Sequence, residues 1–291
     1  MRVYIADTDV TDICEVSACK VIDAGLGESD SLQVTFGAAK DFFKWKPRTG
    51  EKIRVTLDGY SSGDLPIVLE MPGDGEYTVL AAAMPESMTR RAWSAYEQTT
   101  IGDILNALVG EYTCMGINTD YAFKYAARFD ESVPEFVTRL LTPQAGLCKW
   151  TSDGMYLANI EYLLARDAAG TIQLRSDGAN FSYTAADTHV STVNVVSPFG
   201  IGNATTGEES GGSLLITDAP VFSDMDALRW AQGALLKQCL GVQTLEVGLD
   251  FAPNVMSWGL YETTQPYDGL WLATRVEHDL KNKRTTVTLE R

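Results

Sequence analysis

Ser17-Ala18-Cys19-Lys20 has the SxxK spacing of the serine acyl-enzymes. That chemistry sets the lysine one helical turn from the serine. Here the segment lies among alternating strand residues, which put the two side chains on opposite faces, and no Ser-Asp-Asn or Lys-Thr-Gly follows. Glu208-Glu209-Ser210-Gly211-Gly212 has the composition of the serine region of trypsin-like proteases. A nucleophile there needs a rigid oxyanion hole and a base about 3 Å away. This serine instead sits in the most glycine-rich stretch of the chain, and the upstream histidine, His189, is too close in sequence for that layout. Cys148 with His189 or His278 has the composition of a cysteine nucleophile and base, but its neighbours are Leu147 and Lys149 rather than the Asp-Cys-Ser of cell-wall peptidases. Asp130, Glu131 and Glu135 are the acidic group closest to a glycosidase pair. Their place at a predicted helix start, where the macrodipole favours anions, accounts for them without catalysis. Gly25-Leu26-Gly27-Glu28-Ser29-Asp30 lacks the third glycine of a dinucleotide fingerprint and precedes a strand, so it reads as a turn. Asn180-Phe181-Ser182 and Asn203-Ala204-Thr205 are glycosylation acceptors only in a secretory pathway. The expectation is a chain with no catalytic, cofactor-binding or metal-ligating residues and no cofactor.

The rest of the composition agrees. With two histidines, His189 and His278, no HExxH motif can be built, and a zinc site would need Cys, Asp or Glu for most of its ligands. The five cysteines, Cys14, Cys19, Cys114, Cys148 and Cys239, are odd in number and form no CxxC pair, which reads as free thiols in a reducing compartment. The start, MRVYIADTDV, has no basic region followed by an apolar core, and no run approaches about 18 apolar residues. Synthesis in a cytoplasm and no membrane contact are the expectations. Lys plus Arg is 23 and Asp plus Glu is 39, so the formal charge is 23 − 39 = −16. Nucleic-acid binders and proteins that dock on anionic lipid carry the opposite sign.

The elements alternate between two periodicities. Residues 1–85 read as short strands, with Leu32-Gln33-Val34-Thr35-Phe36 and Ile53-Arg54-Val55-Thr56-Leu57 the clearest. Thr49-Gly50, Asp58-Gly59, Ser62-Gly63-Asp64 and Pro72-Gly73-Asp74-Gly75 punctuate them. A small barrel or sandwich follows from that spacing. From about residue 99, Ile101, Ile104, Leu105, Leu108, Val109 and Tyr112 take helical spacing behind a Thr100/Asp103 capping box. A second helix has Val133, Phe136, Val137, Leu140 and Leu141 on one face, with Ser132 as cap, Pro134 in the first turn and Glu135 three residues on. A strand lies between them at 121–129, and a hairpin turns at Ser152-Asp153-Gly154. Residues 86–165 thus form a small α+β unit. Beyond it, Ile172-Gln173-Leu174-Arg175 and 190–196 read as strands and Gly200 to Ser213 as a mobile loop. A helix at about 224–240 is capped by Ser223 and stopped by Gly241. Strands at 245–249, 270–276 and 285–290 close the chain. Trp93 and Trp258 have no periodic apolar context, which predicts exposure.

Several of these segments together resemble the baseplate-hub family of phage tails, which includes the late control protein D of phages and the N-terminal part of the type VI secretion spike. Lys46-Pro47-Arg48-Thr49-Gly50-Glu51-Lys52-Ile53-Arg54-Val55, following Trp45, looks like the family's strand after a Gly-Asp/Glu turn. Ser62-Gly63-Asp64-Leu65-Pro66-Ile67 looks like its Phe-Ser-Gly-x-Ile strand with the phenylalanine missing. Thr99-Thr100-Ile101-Gly102-Asp103-Ile104-Leu105 looks like a short helix of that family. The most specific piece is Phe129 to Leu140, which resembles Gln-x-x-Glu-Ser-Asp-x-x-Phe-Leu-x-Arg-Leu and is followed by Ala145-Gly146 and the Asp153-Gly154 hairpin. It departs from the pattern in lacking the glutamine near Ala126 and in having Pro134 where Asp is usual. Trp271 to Leu280 with Thr285 to Leu289 resembles the closing Ile-x-x-Val-x-His hairpin, with His278 packed rather than titrating.

The resemblance implies a β-rich α+β fold. Residues 1–85 would form one tail-tube-like, barrel-like domain, with strands in 181–200 as candidates to complete it. Residues 86–165 would be an inserted α+β domain, and 166–291 a second barrel-like domain carrying the helix at about 224–240. It implies a structural, non-enzymatic hub of a phage tail or phage-tail-like contractile injection particle, located in the virion tail or baseplate. Three copies would form a pseudo-sixfold ring that adapts a sixfold tail tube to a threefold spike. The partners implied are two further copies of the chain, the tail tube protein, a spike or tail-tip protein and other baseplate proteins. DNA would pass the channel without specific binding, which the charge of three copies, 3 × −16 = −48, would favour. The Gly200–Ser213 loop would fold on contact with tube or spike. Two other readings stay open on residues alone: a tail-associated cell-wall hydrolase with paired carboxylates, and a carbohydrate- or receptor-binding β module with exposed tryptophans.

Overall fold

The computed structural model describes residues 1–13, 15–37, 47–73, 75–174, 180–186, 189–207 and 211–291. Cys14, Trp45, Lys46, Asp74, Arg175 and Glu208-Glu209-Ser210 lie outside the described residues. The first strands are β1 (Arg2–Ile5), β2 (Thr8–Asp9), β3 (Val16–Ala24), β4 (Ser31–Gly37), β5 (Lys52–Leu57), β6 (Tyr60–Ser61), β7 (Leu65–Pro72) and β8 (Glu76–Ala82). Then come α1 (Glu86–Thr89), β9 (Ala92–Thr100), α2 (Ile101–Leu108), β10 (Tyr112–Met115), β11 (Ala122–Glu131), α3 (Val133–Leu140), β12 (Gly146–Thr151), β13 (Gly154–Asn159) and α4 (Ile160–Leu164). The last stretch holds β14 (Gly170–Ile172), β15 (Asn180–Ala185), β16 (Val190–Ser197), β17 (Gly200–Thr205), β18 (Gly212–Ile216), α5 (Asp224–Cys239), β19 (Gln243–Asp250), β20 (Leu260–Thr263), β21 (Gly269–Asp279) and β22 (Arg284–Glu290). The fold is α+β and β-rich.

Alternation decides the β regions. In β5, Ile53, Val55 and Leu57 point inward while Lys52, Arg54 and Thr56 do not, and Ile53 and Val55 lie opposite Ile5 and Val3 of β1. A one-residue slip would turn that apolar set outward, so the register is strongly specified. Asp58 and Gly59 both take positive φ, as a two-residue hairpin between β5 and β6 requires. Fourteen strands among the described residues share one sheet, whose main path runs β15-β19-β22-β21-β3-β4-β8-β7-β5-β1-β2. The chain's last long strands therefore join its first ones. β21 lies antiparallel to β3, with His278 opposite Val21 and Val276 opposite Asp23. His278 is buried, bonded through Nδ1 to Thr285 Oγ1 at 2.9 Å and packed against the rings of Tyr60 and Phe251. Burial lowers its pKa, so it packs as an uncharged ring at neutral pH.

Both helical capping boxes form as their spacing predicts. Thr100 accepts from the Asp103 N–H at 3.1 Å and Ser132 from the Glu135 N–H at 3.3 Å, and each carboxylate returns the bond to the cap's own N–H. α2 stops at Leu108, short of the expected Tyr112. Gly110 has φ +85°, which turns the chain so that Tyr112 opens β10. Behind these helices a core gathers Ile104, Leu105, Phe136 and Leu140 with Val193 and Val195 of β16 and Ala227, Trp230 and Ala231 of α5. Thus the 190–240 stretch packs with residues of 86–165, while Val247, Trp271, Val276 and Val287 form a separate cluster among the closing strands.

Two further expectations fail for identifiable reasons. Gly200–Thr205 is a strand, and Gly212 opens another, where a mobile loop was expected. Its glycines serve close packing: a Cβ at Gly200 would lie 2.4 Å from the Ser223 carbonyl oxygen, and one at Gly202 only 2.2 Å from the Ala227 backbone. Trp258 is buried, not exposed, and its Nε1 donates to the Gly25 carbonyl at 2.7 Å. Trp93 is 72% exposed, as expected. β9 has no clear sequence signal, because its partner is a single strand, β11, and its residues are mostly small or polar.

Helix α5 docks through Gly233, where an added Cβ would lie 1.8 Å from the Thr142 carbonyl oxygen. Gly233→Ala is expected to cost about 1–3 kcal/mol by overpacking. Gly170→Ala, at a site with nothing within 4 Å, should stay within about 0.5 kcal/mol of the parent. Urea unfolding of both variants checks the pair.

Candidate functional site

The candidates nominated by spacing are kept apart. On β3, Lys20 Nζ donates to Glu277 at 2.7 Å, while Ser17 Oγ donates to the Thr35 carbonyl at 3.2 Å. Cys148 is buried, its Sγ 3.2 Å from Thr138 Oγ1, and burial pushes its thiol up to about 11. That is the reverse of an activated thiolate. His278 is engaged with Thr285 elsewhere. His189 borders a shallow cavity with Gly212 and Gln238.

The acidic group at the start of α3 is held by arginines. Arg139 meets Glu131 through two nitrogens, at 2.8 and 2.7 Å, and also donates to the Ala127 carbonyl at 2.5 Å. Arg91 bonds Glu135 at 2.6 Å. Burial alone would raise Glu131, but the hydrogen bonds and charge of Arg139 outweigh it and the net shift is downward. Hydrogen bonds from the backbone and side chain of Ser132 lower Glu135. Two carboxylates held in the charged form do not make the acid–base pair that glycoside cleavage needs. The Glu-Ser…Phe-x-x-Arg pattern is instead the joint that fixes α3 on β11.

A constellation that sequence spacing missed lies in the interior. Asp23 of β3, Lys149 of β12 and Ser257 converge, although 126 and 234 positions separate Asp23 from the other two. Lys149 Nζ donates to Asp23 Oδ1 at 2.9 Å and to Ser257 Oγ at 2.8 Å. The Ser257 N–H donates to Asp23 Oδ2 at 2.7 Å, and Ser257 Oγ donates to Asp23 Oδ1. The ammonium also stands 5.2 Å from the Trp258 ring centre. Burial pulls the Asp23 carboxyl up, but Lys149 and Ser257 outweigh it and hold it below its ordinary value. Nearby Asp30 accepts from the Ala24 N–H at 3.2 Å, and that bond and the Lys149 charge relieve it only in part. Burial and the Asp23 charge push it up to about 7. A serine bonded to a lysine has the composition of a hydrolase dyad, yet Ser257 is 6% and Lys149 8% exposed, and the amine is tied up as an ion pair. The backbone around it is equally committed: Gly27 N–H to the Cys148 carbonyl at 2.7 Å, Asp30 N–H to Trp150 at 2.8 Å and Gly25 N–H to Thr274 at 2.8 Å. The constellation locks three chain segments together.

The surface carries apolar material. Trp93 meets Phe129 edge-on at 5.4 Å on the β9–β11 ribbon, beside a cavity of about 430 Å³ bordered by Tyr125, Phe129, Glu131, Arg139 and Pro220. Phe199, Ile201 and Leu215 are well exposed on and beside the β17-β16-β18 sheet. Among the described residues no group of three or more His, Cys, Asp or Glu could hold a metal ion, and no helix is long and apolar enough to cross a membrane.

No protein-family model and no curated protein matches the sequence. Solved structures do match. The tail protein from Neisseria meningitidis MC58 superposes with a TM-score of 0.77 over 100% of this chain and 96% of that one, at 12% identity. The 43 kDa tail protein of prophage MuSo2 from Shewanella oneidensis gives 0.74 over 99% and 98%, at 10% identity. The chain has a tail-protein fold. The Escherichia coli c3393 protein, a type VI secretion component with structural similarity to the T4 tail proteins gp27 and gp5, gives 0.61 over 99% of this chain and 76% of that one, at 12% identity. Within this tail-protein fold the buried charges sit where β3, β12 and the segment before β20 meet.

Lys149→Met, which leaves Asp23 buried and unpaired, is expected to cost about 3–5 kcal/mol in urea unfolding. Asp30 titrates near 7 in the folded chain, against about 3.9 when unfolded. Its contribution to stability is therefore fully present below about pH 4 and lost as pH rises through about 7. Asp30→Asn should remove that loss, so that the stability difference between variant and parent grows in the variant's favour from pH 5 to pH 8. An unchanged difference would contradict the assignment.

Proposed function

We propose that the chain is a structural hub protein of a phage tail baseplate or of a phage-tail-like contractile injection particle. One observation carries the reading: the whole of this chain superposes on nearly the whole of two tail proteins. The similarity to a type VI secretion component that itself resembles the T4 tail proteins gp27 and gp5 supports a place in a tail or injection particle. The Arg-paired carboxylates at α3 and the buried Ser257–Lys149 pair support a role without turnover.

In this reading residues 1–85 and the closing strands of 166–291 are two barrel-like, tail-tube-like units joined through β3 and β21. Residues 86–165 are the inserted α+β unit, against which the 190–240 stretch packs. Three copies then offer six similar β units to a sixfold tube and threefold symmetry to a spike or tail tip. The partners are the other two copies, the tube protein, the spike or tip protein and neighbouring baseplate proteins. Acidic side chains face a channel that DNA crosses without sticking, because like charges repel phosphates. A family place beside late control protein D fits the Phe129–Leu140 pattern. The protein is made in the host cytoplasm and resides in the virion tail.

The experiment is the solution mass by light scattering, across dilution and salt, with and without purified tube and spike proteins. The expected result is three times 31.8 kDa, alone or on the spike. A chain that stays monomeric with both partners present overturns the hub reading.

A further inference from the structure

Among the described residues, strand β17 is paired on one side only, to β16. The Thr206 N–H donates to the Ser191 carbonyl at 2.9 Å, and Thr205 lies opposite Thr192. In an antiparallel pair the bonded residues alternate, so Ala204 and Gly202 bond to β16 while Ile201, Asn203 and Thr205 turn their N–H and C=O groups outward. Ile201 marks that direction, since its N–H reaches Asp224 Oδ1 at 2.9 Å. Beyond Asn203 and Thr205 the edge faces a groove of about 730 Å³. Gln144, Asn159 and Glu161 border it as well, and Gln232 of α5 lies along it. The inner face of β17 cannot retreat, because Gly200 and Gly202 already rest on the α5 backbone. An open edge is thus held rigid beside the groove; the side-chain amides of Gln144, Asn159 and Asn203 are bonded to Asn118, Gln144 and Asn194 of the chain itself, and Gln232 lies exposed along it.

We propose that this groove receives an extended strand of a different protein, added to the edge of β17, with a Lys or Arg of that strand against Glu161. Glu161 is the one charged residue among those bordering the groove, and it is exposed. A strand carrying Lys or Arg meets Glu161 directly, whereas this chain itself has 39 acidic against 23 basic residues to offer. Backbone pairing supplies the affinity, and alternate side chains and the Glu161 contact supply the choice of partner. The inference takes from the tail reading only that the chain assembles with other proteins. Its test uses the purified chain alone, so it fails or succeeds separately from the mass measurement.

The probe is a display library of random peptides of about ten residues, the upper length of common strands. Selected peptides are expected to carry Lys or Arg and to slow amide exchange at Asn203 and Thr205. Asn203→Pro removes an outward N–H that the β16 ladder does not use, so the fold should persist while binding falls about tenfold or more. Asn203→Ala, which keeps the N–H, should bind within about twofold of the parent. Glu161→Lys should switch the selected peptides toward acidic residues. The proposal is overturned if no peptide is selected, or if selected peptides protect other amides and ignore Asn203→Pro. Should that variant unfold, amide exchange in the unaltered chain decides.

Discussion

An ammonium buried with one carboxylate constrains everything else in this molecule. Moving Lys149 and Asp23 out of water costs several kcal/mol per ion, and the interior repays it only when geometry and extra hydrogen bonds are both good. Here Ser257 bonds both partners and the Trp258 ring faces the ammonium. Asp23 comes from the first strands, Lys149 from the middle unit and Ser257 from the segment between β19 and β20. None of the three segments can separate without exposing or orphaning a charge. The strand pairing of β3 with β21 and the backbone bonds of 25–30 to 148–150 and Thr274 are aligned by that contact.

A chain closed in this way has a rigid body and unfinished borders. Among the described residues, β15 and β2 end the main path of the large sheet, β17 and β18 are both unpaired on their outer sides, and the β9–β11 ribbon has no third strand. Isolated soluble proteins blunt such edges; a component of a larger assembly uses them. The apolar side chains outside, Trp93, Phe129, Phe199, Ile201 and Leu215, follow the same logic. A net charge of −16 repels other polyanions, nucleic acid among them.

Local signals in the sequence survived and non-local ones were invisible. Thr100/Asp103, Ser132/Glu135 and Ser223 announced helix starts because a cap acts over three residues. Ile53, Val55 and Leu57 announced a strand because alternation is equally local. The Asp23–Lys149–Ser257 junction had no signature, since its members meet only after the fold is complete. Gly200 and Gly202 were misread because composition cannot separate glycine that frees a loop from glycine that lets a strand touch a helix. Trp258 was misread for a related reason: what buries it is the Gly25 turn and Lys149, both distant in sequence. The Glu131–Arg139 pair lay within a recognisable motif, but only its geometry showed the motif to be a joint.

In the proposed assembly the chain forms a ring, and its buried charges hold the segments of each copy together. A cryo-EM reconstruction of the purified chain with its spike partner tests that most directly. The prediction is three copies around a channel, each giving two similarly placed β units, with the Lys149–Asp23 junction buried in every copy. A single copy on the spike, a ring of another number, or a chain whose three segments sit apart would contradict it.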